Sequence, residues 1–168
     1  LFDNFVNTPA AFEEPVVNLG DDPQKSGVYT FTAKVKNLYG EEFTLSAEKS
    51  YVLCDEYIKR DGVLYNSLSP HLLDAEISVK PVTGDFADGV YTVAADNLYT
   101  ELDITVKLST ADKEYLSVYT NGAYVEGYIY LSVNGGISHI KQSFMGFYGD
   151  WTAAPAFEAY DWGAVVDA

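Results

Sequence analysis

The sequence predicts an all-β domain: an antiparallel β-sandwich with one short helix. Two observations carry that expectation. Apolar residues recur with period two over successive short runs, which is the spacing of strands with one face on a core and one in water. No amphipathic run long enough for a crossover helix lies between them, whereas turn residues do, so a parallel α/β sheet is excluded.

The elements follow in order. Residues 1–14 lack period-two order, contain Pro9 and lead up to Pro15, and read as a lead-in. In Val28–Lys36, Tyr29, Phe31, Ala33 and Val35 alternate with Thr30, Thr32, Lys34 and Lys36. Phe43, Leu45 and Ala47 start a further strand, and Tyr51–Ile58 makes another. Leu73, Ala75, Ile77 and Val79 alternate with Asp74, Glu76, Ser78 and Lys80, and Leu102, Ile104, Val106 and Leu108 with Glu101, Asp103, Thr105 and Lys107. Ser109-Thr110-Ala111-Asp112 offers a hydroxyl cap with an acid in the first turn, so a helix is expected to run to about Val118, with Asn121-Gly122 closing it. Tyr124–Val133 is apolar on both faces, as in a central strand or one whose second face is covered. Asn134-Gly135-Gly136 favours positive φ and a tight hairpin into Ile137–Phe144. The sandwich is therefore expected over 15–146, followed by an aromatic, acidic extension over 147–168.

Composition narrows the function classes. At 168 residues the chain fits one domain, and a chain of this size buries about 68–70% of its surface without staples. Ten Lys and Arg stand against twenty-five Asp and Glu, a net charge of −15. That field repels phosphate backbones and anionic lipid surfaces, so neither nucleic acid nor a membrane is expected as partner. The apolar runs are far short of the roughly 20 residues of a membrane helix. The lone Cys54 excludes an internal disulfide and any multi-cysteine metal site. Because the chain begins at Leu1 rather than Met, it is expected to be a piece of a longer polypeptide.

A catalytic constellation does not emerge. His71 has Ser67, Ser69 and Asp74 nearby, but no nucleophile elbow accompanies them, and His139 falls in a strand as a solvent-facing residue. Two isolated histidines do not make a metal site, and the acidic turns (Asp21-Asp22, Asp55-Glu56, Asp85 with Asp88-Gly89, Asp150) lack the alternating spacing of a calcium loop. Lys59-Arg60-Asp61-Gly62 reads as a surface hairpin turn. No catalytic residue, metal or cofactor is expected. The densest feature is aromatic: Phe144-Met145-Gly146-Phe147-Tyr148-Gly149-Asp150-Trp151, followed by Phe157, Tyr160 and Trp162. So many rings in an irregular segment point either to a docking surface, with Phe144, Met145, Phe147, Tyr148, Asp150, Trp151 and Trp162 as its candidates, or to a tail that folds back on its own sandwich. A second reading places a carbohydrate-stacking face on Tyr124, Tyr128 and Tyr130.

Several stretches also carry a family likeness. They are Val17-Asn18-Leu19-Gly20 leading into Tyr29–Asn37, Leu45-Ser46-Ala47, Ser69–Ala75, Ala123-Tyr124-Val125-Glu126-Gly127-Tyr128 and Ser143–Trp151. Together, over residues 15–157, they resemble the fibronectin type III-like domain that follows the protease domain in cell-envelope subtilisin-like serine proteases, the lactocepins and the streptococcal complement-cleaving peptidase among them. The family's pattern F-x-N-G-x-[FY]-V-E-G stands here as Tyr119-Thr120-Asn121-Gly122-Ala123-Tyr124-Val125-Glu126-Gly127. The resemblance implies a fibronectin type III-like or immunoglobulin-like sandwich from a secreted or wall-associated protein of a Gram-positive bacterium. It implies a non-catalytic module, with residues 1–14 as the linker from a catalytic domain of the same polypeptide. The family's Gly-Thr-Ser-Met-Ala nucleophile segment does not occur in the chain. The implied partner is that catalytic domain, or its protein substrate.

Overall fold

The computed structural model describes residues 8–153 and contains eleven strands and one α-helix among them. β1 (Ala10–Phe12), β3 (Val28–Asn37), β9 (Tyr99–Lys107) and β7 (Glu76–Pro81) form one antiparallel sheet in the order β1-β3-β9-β7. The facing sheet is built on β10 (Ala123–Val133) and β11 (Ser138–Tyr148), an antiparallel hairpin closed by Asn134–Gly136. Beyond β11 lies β2 (Val16–Asp21), and beyond β10 lie β4 (Phe43–Ala47) and β5 (Tyr51–Arg60). β8 (Tyr91–Val93) extends β4, and β6 (Val63–Leu73) extends β5. β4 and β5 both pair with β10, and the register between Ala47↔Leu131 and Tyr51↔Tyr128 slips by one residue, so they are two halves of one bulged strand. The resulting order, β1-β3-β9-β7 facing β4-β10-β11, is that of an immunoglobulin-like sandwich.

The alternation explains which face each strand buries. Tyr29, Ala33 and Val35 of β3 and Leu102, Ile104 and Val106 of β9 point into the sandwich, against Val125, Ile129, Leu131 and Val133 of β10 and Ile140 and Phe144 of β11. Phe144 fits because its cross-strand partner is Gly127; a Cβ there would collide with the Phe144 ring and the Tyr51 carbonyl. Asn134 and both following glycines have positive φ, as the tight hairpin requires.

Four expectations are revised. The segment before residue 15 is not only a lead-in, because Ala10–Phe12 pairs with β3 and Ala10 is fully buried. One pairing, β2 with β11, is parallel. The alternating run Leu73–Val79 is two strands: Leu73 ends β6 in one sheet and Glu76 begins β7 in the other, with the corner fastened by the Asp74 N–H donating to Asp112 Oδ1 at 2.8 Å. Finally, β11 runs on to Tyr148, so the sandwich does not stop at 146. The helix, α1, spans Thr110–Leu116, two residues short of Val118, and carries the capping box at its start: Ser109 Oγ accepts from Asp112 N (3.1 Å) and Asp112 Oδ2 accepts from Ser109 N (2.8 Å).

Candidate docking surface

The connection 134–137 sets the hairpin register; Ile137, expected to begin the second strand, lies exposed within it, and β11 starting at Ser138 places Tyr124 of β10 directly opposite Phe147, both on the outer face. The chain then turns at Gly149, whose φ of 145° only glycine adopts readily, and brings Trp151 back over the pair. Ring centroids lie 5.2 Å apart for Tyr124–Phe147, 5.4 Å for Tyr124–Trp151 and 5.2 Å for Phe147–Trp151. Two hydrogen-bonded anchors hold the turn. Trp151 N donates to Asp21 Oδ2 at 2.9 Å, tying it to the end of β2. Asp150 Oδ1 accepts from Thr152 Oγ1 (2.6 Å) and Thr152 N (2.8 Å), and these bonds hold its carboxyl below the usual carboxylate range.

Between β2 and the end of β11 this leaves an open groove of about 210 Å³, floored by Gly146 and walled by Asn18, Asp21, Tyr124, Met145 and Trp151. Trp151 is 56% exposed, Tyr124 41% and Met145 38%. Gly146 turns its Cβ position inward, where an added methyl would press on Leu19 and the Tyr29 ring at 3.2 Å, so the floor of the groove is its backbone. The Tyr29 ring is buried, and burial pushes its hydroxyl well above the ordinary tyrosine range.

The predicted docking residues therefore divide. Met145 and Trp151 line the exposed groove. Phe144 and Tyr148 face inward and belong to the domain's own core, while Phe147 is covered from outside by Tyr124 and Trp151; none of the three is available to a partner. Continuing the phase of Ile140 along β11 (Ile140, Gln142, Phe144, Gly146, Tyr148 inward) is the signal that separates them. Asp150 builds the turn instead of offering a free carboxylate. Trp162 lies outside the described residues. Tyr124 joins the surface, together with the β2 residues Asn18 and Asp21.

The proposed stacking face does not form. Tyr128 and Tyr130 are half-buried with planes 48° apart, Tyr51 meets Tyr130 edge-on, and Lys141 lies over Tyr128 at 4.7 Å. His71 sits within β6 and stacks on Tyr115, centroids 3.7 Å apart and planes 6° apart. His139 faces outward, with Nδ1 3.1 Å from Glu48 Oε2. Among the described residues no cluster of three or more His, Cys, Asp or Glu side chains could hold a metal, and no helix is long and apolar enough to cross a membrane. Burial pushes the Cys54 thiol up to about 12.

No family model and no curated protein matches the chain. Among solved structures it is similar to the ASH/PapD-like domain of human CEP192 (PapD-like domain 7), at 5% identity over 85% of this chain and 87% of that one, with a TM-score of 0.47. It is also similar to the CooA pilin subunit from enterotoxigenic Escherichia coli, at 9% identity over 83% of this chain and 98% of that one (TM-score 0.42). The third is AggA, the major subunit of aggregative adherence fimbriae type I from Escherichia coli, at 11% identity over 83% and 95% (TM-score 0.33). At these scores nothing further rests on the likenesses.

Proposed function

We propose that the chain is a non-catalytic, extracellular sandwich domain of a subtilisin-like serine protease, and that the Trp151 groove docks on the catalytic domain of the same polypeptide. The observation that carries the docking is the exposure of Trp151 on a hydrogen-bonded turn beside Tyr124 and Met145. A folded domain gains nothing by holding a large indole in water, whereas a rigidly presented tryptophan is the residue type that dominates interface energetics. The protease assignment is supported by the resemblance of Val17–Asn37, Ala123–Tyr128 and Ser143–Trp151, whose residues build this groove and its floor.

Geometry constrains the arrangement. The chain enters the sandwich at Ala10, opposite Asn37, and Trp151 lies at the other end, beside Asp21. β10, eleven residues long, measures that separation at roughly 35 Å. A neighbour of protease size, roughly 45 Å across by compact-domain scaling, lying alongside the sandwich reaches both ends. Docking at Trp151 then fixes the angle between the domains.

The test is the coding sequence upstream of Leu1. A frame encoding the Asp, His and Gly-Thr-Ser-Met-Ala segments of a subtilisin fold supports the reading. In that longer polypeptide, Trp151→Ala should loosen the interdomain contact seen by small-angle scattering. A frame with no protease domain overturns it.

A further inference from the structure

On the other side of β10, the half of the β5–β6 hairpin beyond Asp55 and Pro70 leaves the sandwich. The register slips by two residues at Ser67–Ser69 and then resumes from Tyr57↔Asn66 to Arg60↔Val63, closed by Asp61 and Gly62 with positive φ. Between this projecting half and the connection from α1 to β10 lies a groove of about 310 Å³, lined chiefly by Tyr57, Leu64, Asn66, Tyr119, Thr120 and Asn121. That volume is at the lower end of the range of small-molecule sites.

Its two rings are held from behind. The Tyr119 hydroxyl donates to the Asp55 carbonyl at 2.8 Å. The Tyr57 ring packs on Tyr115 at 4.6 Å, its N–H donates to the Tyr115 hydroxyl at 3.2 Å, and Tyr115 is itself stacked on His71. Tyr57 and Tyr119 meet at 6.1 Å and 80°, forming a corner with one ring face and one ring edge. The amides of Asn66 and Asn121 and the hydroxyl of Thr120 are exposed at its rim. No residue lining the groove is charged, although the chain carries −15.

We propose that this corner is a binding site for a neutral pyranose, one residue of an uncharged glycan. The C–H face of a sugar ring buries against an aromatic face, and each side-chain amide both donates to and accepts from hydroxyls. An anionic ligand meets the repulsive field of the whole chain, and a cationic one finds no carboxylate in the groove. A polyproline peptide needs a row of rings along an open groove, which a single right-angled corner does not supply. The site is independent of the Trp151 groove and of the protease reading.

The test titrates the ¹⁵N-labelled chain separately with cellotetraose, chitotetraose and a decaproline peptide. Expected are saturable amide shifts with one of the two saccharides, centred on Tyr57, Asn66, Tyr119 and Asn121. Asn66→Asp, an exposed change that brings a carboxylate to the rim, should weaken binding about tenfold or more, and Trp151→Ala should leave it unchanged. Tyr57→Ala should abolish binding, and its unshifted β3 and β9 resonances report that the sandwich stays folded. Shifts with decaproline alone, saccharide shifts centred elsewhere, or none with either saccharide overturn the assignment.

Discussion

Two aromatic surfaces flank the start of β10, and they are supported in opposite ways. At the Trp151 corner the rings rest on a core strand: Phe147 is part of β11, whose neighbours Phe144 and Tyr148 are buried in the sandwich. At the Tyr57 corner the rings rest on each other and on α1, an element outside both sheets, through Tyr115 and His71. The first is as stable as the domain. The second is as stable as a hairpin and a two-turn helix, and elements with few core contacts open at lower free energy than the fold itself. A rigid indole suits a fixed contact, whereas a corner assembled from three separate segments can adjust to a small ligand.

Phe144→Ala should have the largest effect and test the first half of that contrast. The side chain is 2% exposed and packs on Phe31 at 5.8 Å, above Gly127. Its loss should cost about 3–5 kcal/mol in urea unfolding, since the strands on either side cannot close the cavity. Should the loss fall below about 1 kcal/mol, β11 is not the support that the Trp151 corner requires.

Asp112→Ala tests the second half. This buried carboxylate accepts from Ser109 N and Asp74 N, so one side chain caps α1 and ties down the β6–β7 corner. About 1–2 kcal/mol should be lost, because the helix loses its capping carboxylate and two part-buried N–H groups lose their acceptor. Hydrogen exchange should accelerate first in α1 and in the β5–β6 hairpin, with β10 and β11 still protected. Equal acceleration throughout would mean that the two surfaces share one cooperative unit.

Much of this contrast was legible in the residues, though unevenly. The period-two runs gave the strands that carry the core, but the density of rings after Ser143 hid the continuing phase: Phe144 and Tyr148, expected on a docking surface, follow Ile140 inward. The Asn134-Gly135-Gly136 turn was legible but its length was not: Ile137 lies in the connection instead of starting β11, and that one residue sets Tyr124 opposite Phe147 instead of Gly146. What no local pattern records is contact between distant segments. The parallel pairing of β2 with β11, the bond from Trp151 to Asp21 and the packing of Tyr57 and His71 on Tyr115 each join parts of the chain separated by dozens of residues. The split of Leu73–Val79 was hidden for a related reason: alternation continues across the corner while the chain changes sheet.

Alkaline pH should weaken both supports together. Burial pushes Cys54 from 9.0 to about 12 and Tyr119 from 10.0 to about 12, and Tyr29, under the Trp151 groove, is raised further. Each group is neutral in the fold, while the unfolded chain ionises it near its ordinary value. The stabilisation is therefore complete below pH 9 and declines as pH rises from 9 towards 12. The buried Cys54 can contribute at most about 1.4 kcal/mol per pH unit to that decline, and Tyr119, which lines an open groove, contributes less because water screens it. Urea midpoints measured from pH 8 to 11 should be level at first and then fall, and a flat profile would mean these groups are solvated in the folded state.

The smallest expected effect is the most specific. Trp151→Ala removes a ring that is more than half exposed and leaves intact the backbone N–H that bonds to Asp21. The ring does cover part of Phe147 and touch Tyr124, so its loss is not free, but water already reaches its outer face. Stability of the isolated domain should change by no more than about 0.5 kcal/mol, in the range of surface substitutions. A loss of about 2 kcal/mol or more would show that Trp151 completes the domain's own core; a small one leaves the indole free to serve a partner. Asp21→Asn sharpens the result. The amide keeps an acceptor for the Trp151 N–H but removes the charge, so a further change in docking with stability unaltered would assign the carboxylate to the partner and the hydrogen bond to the turn.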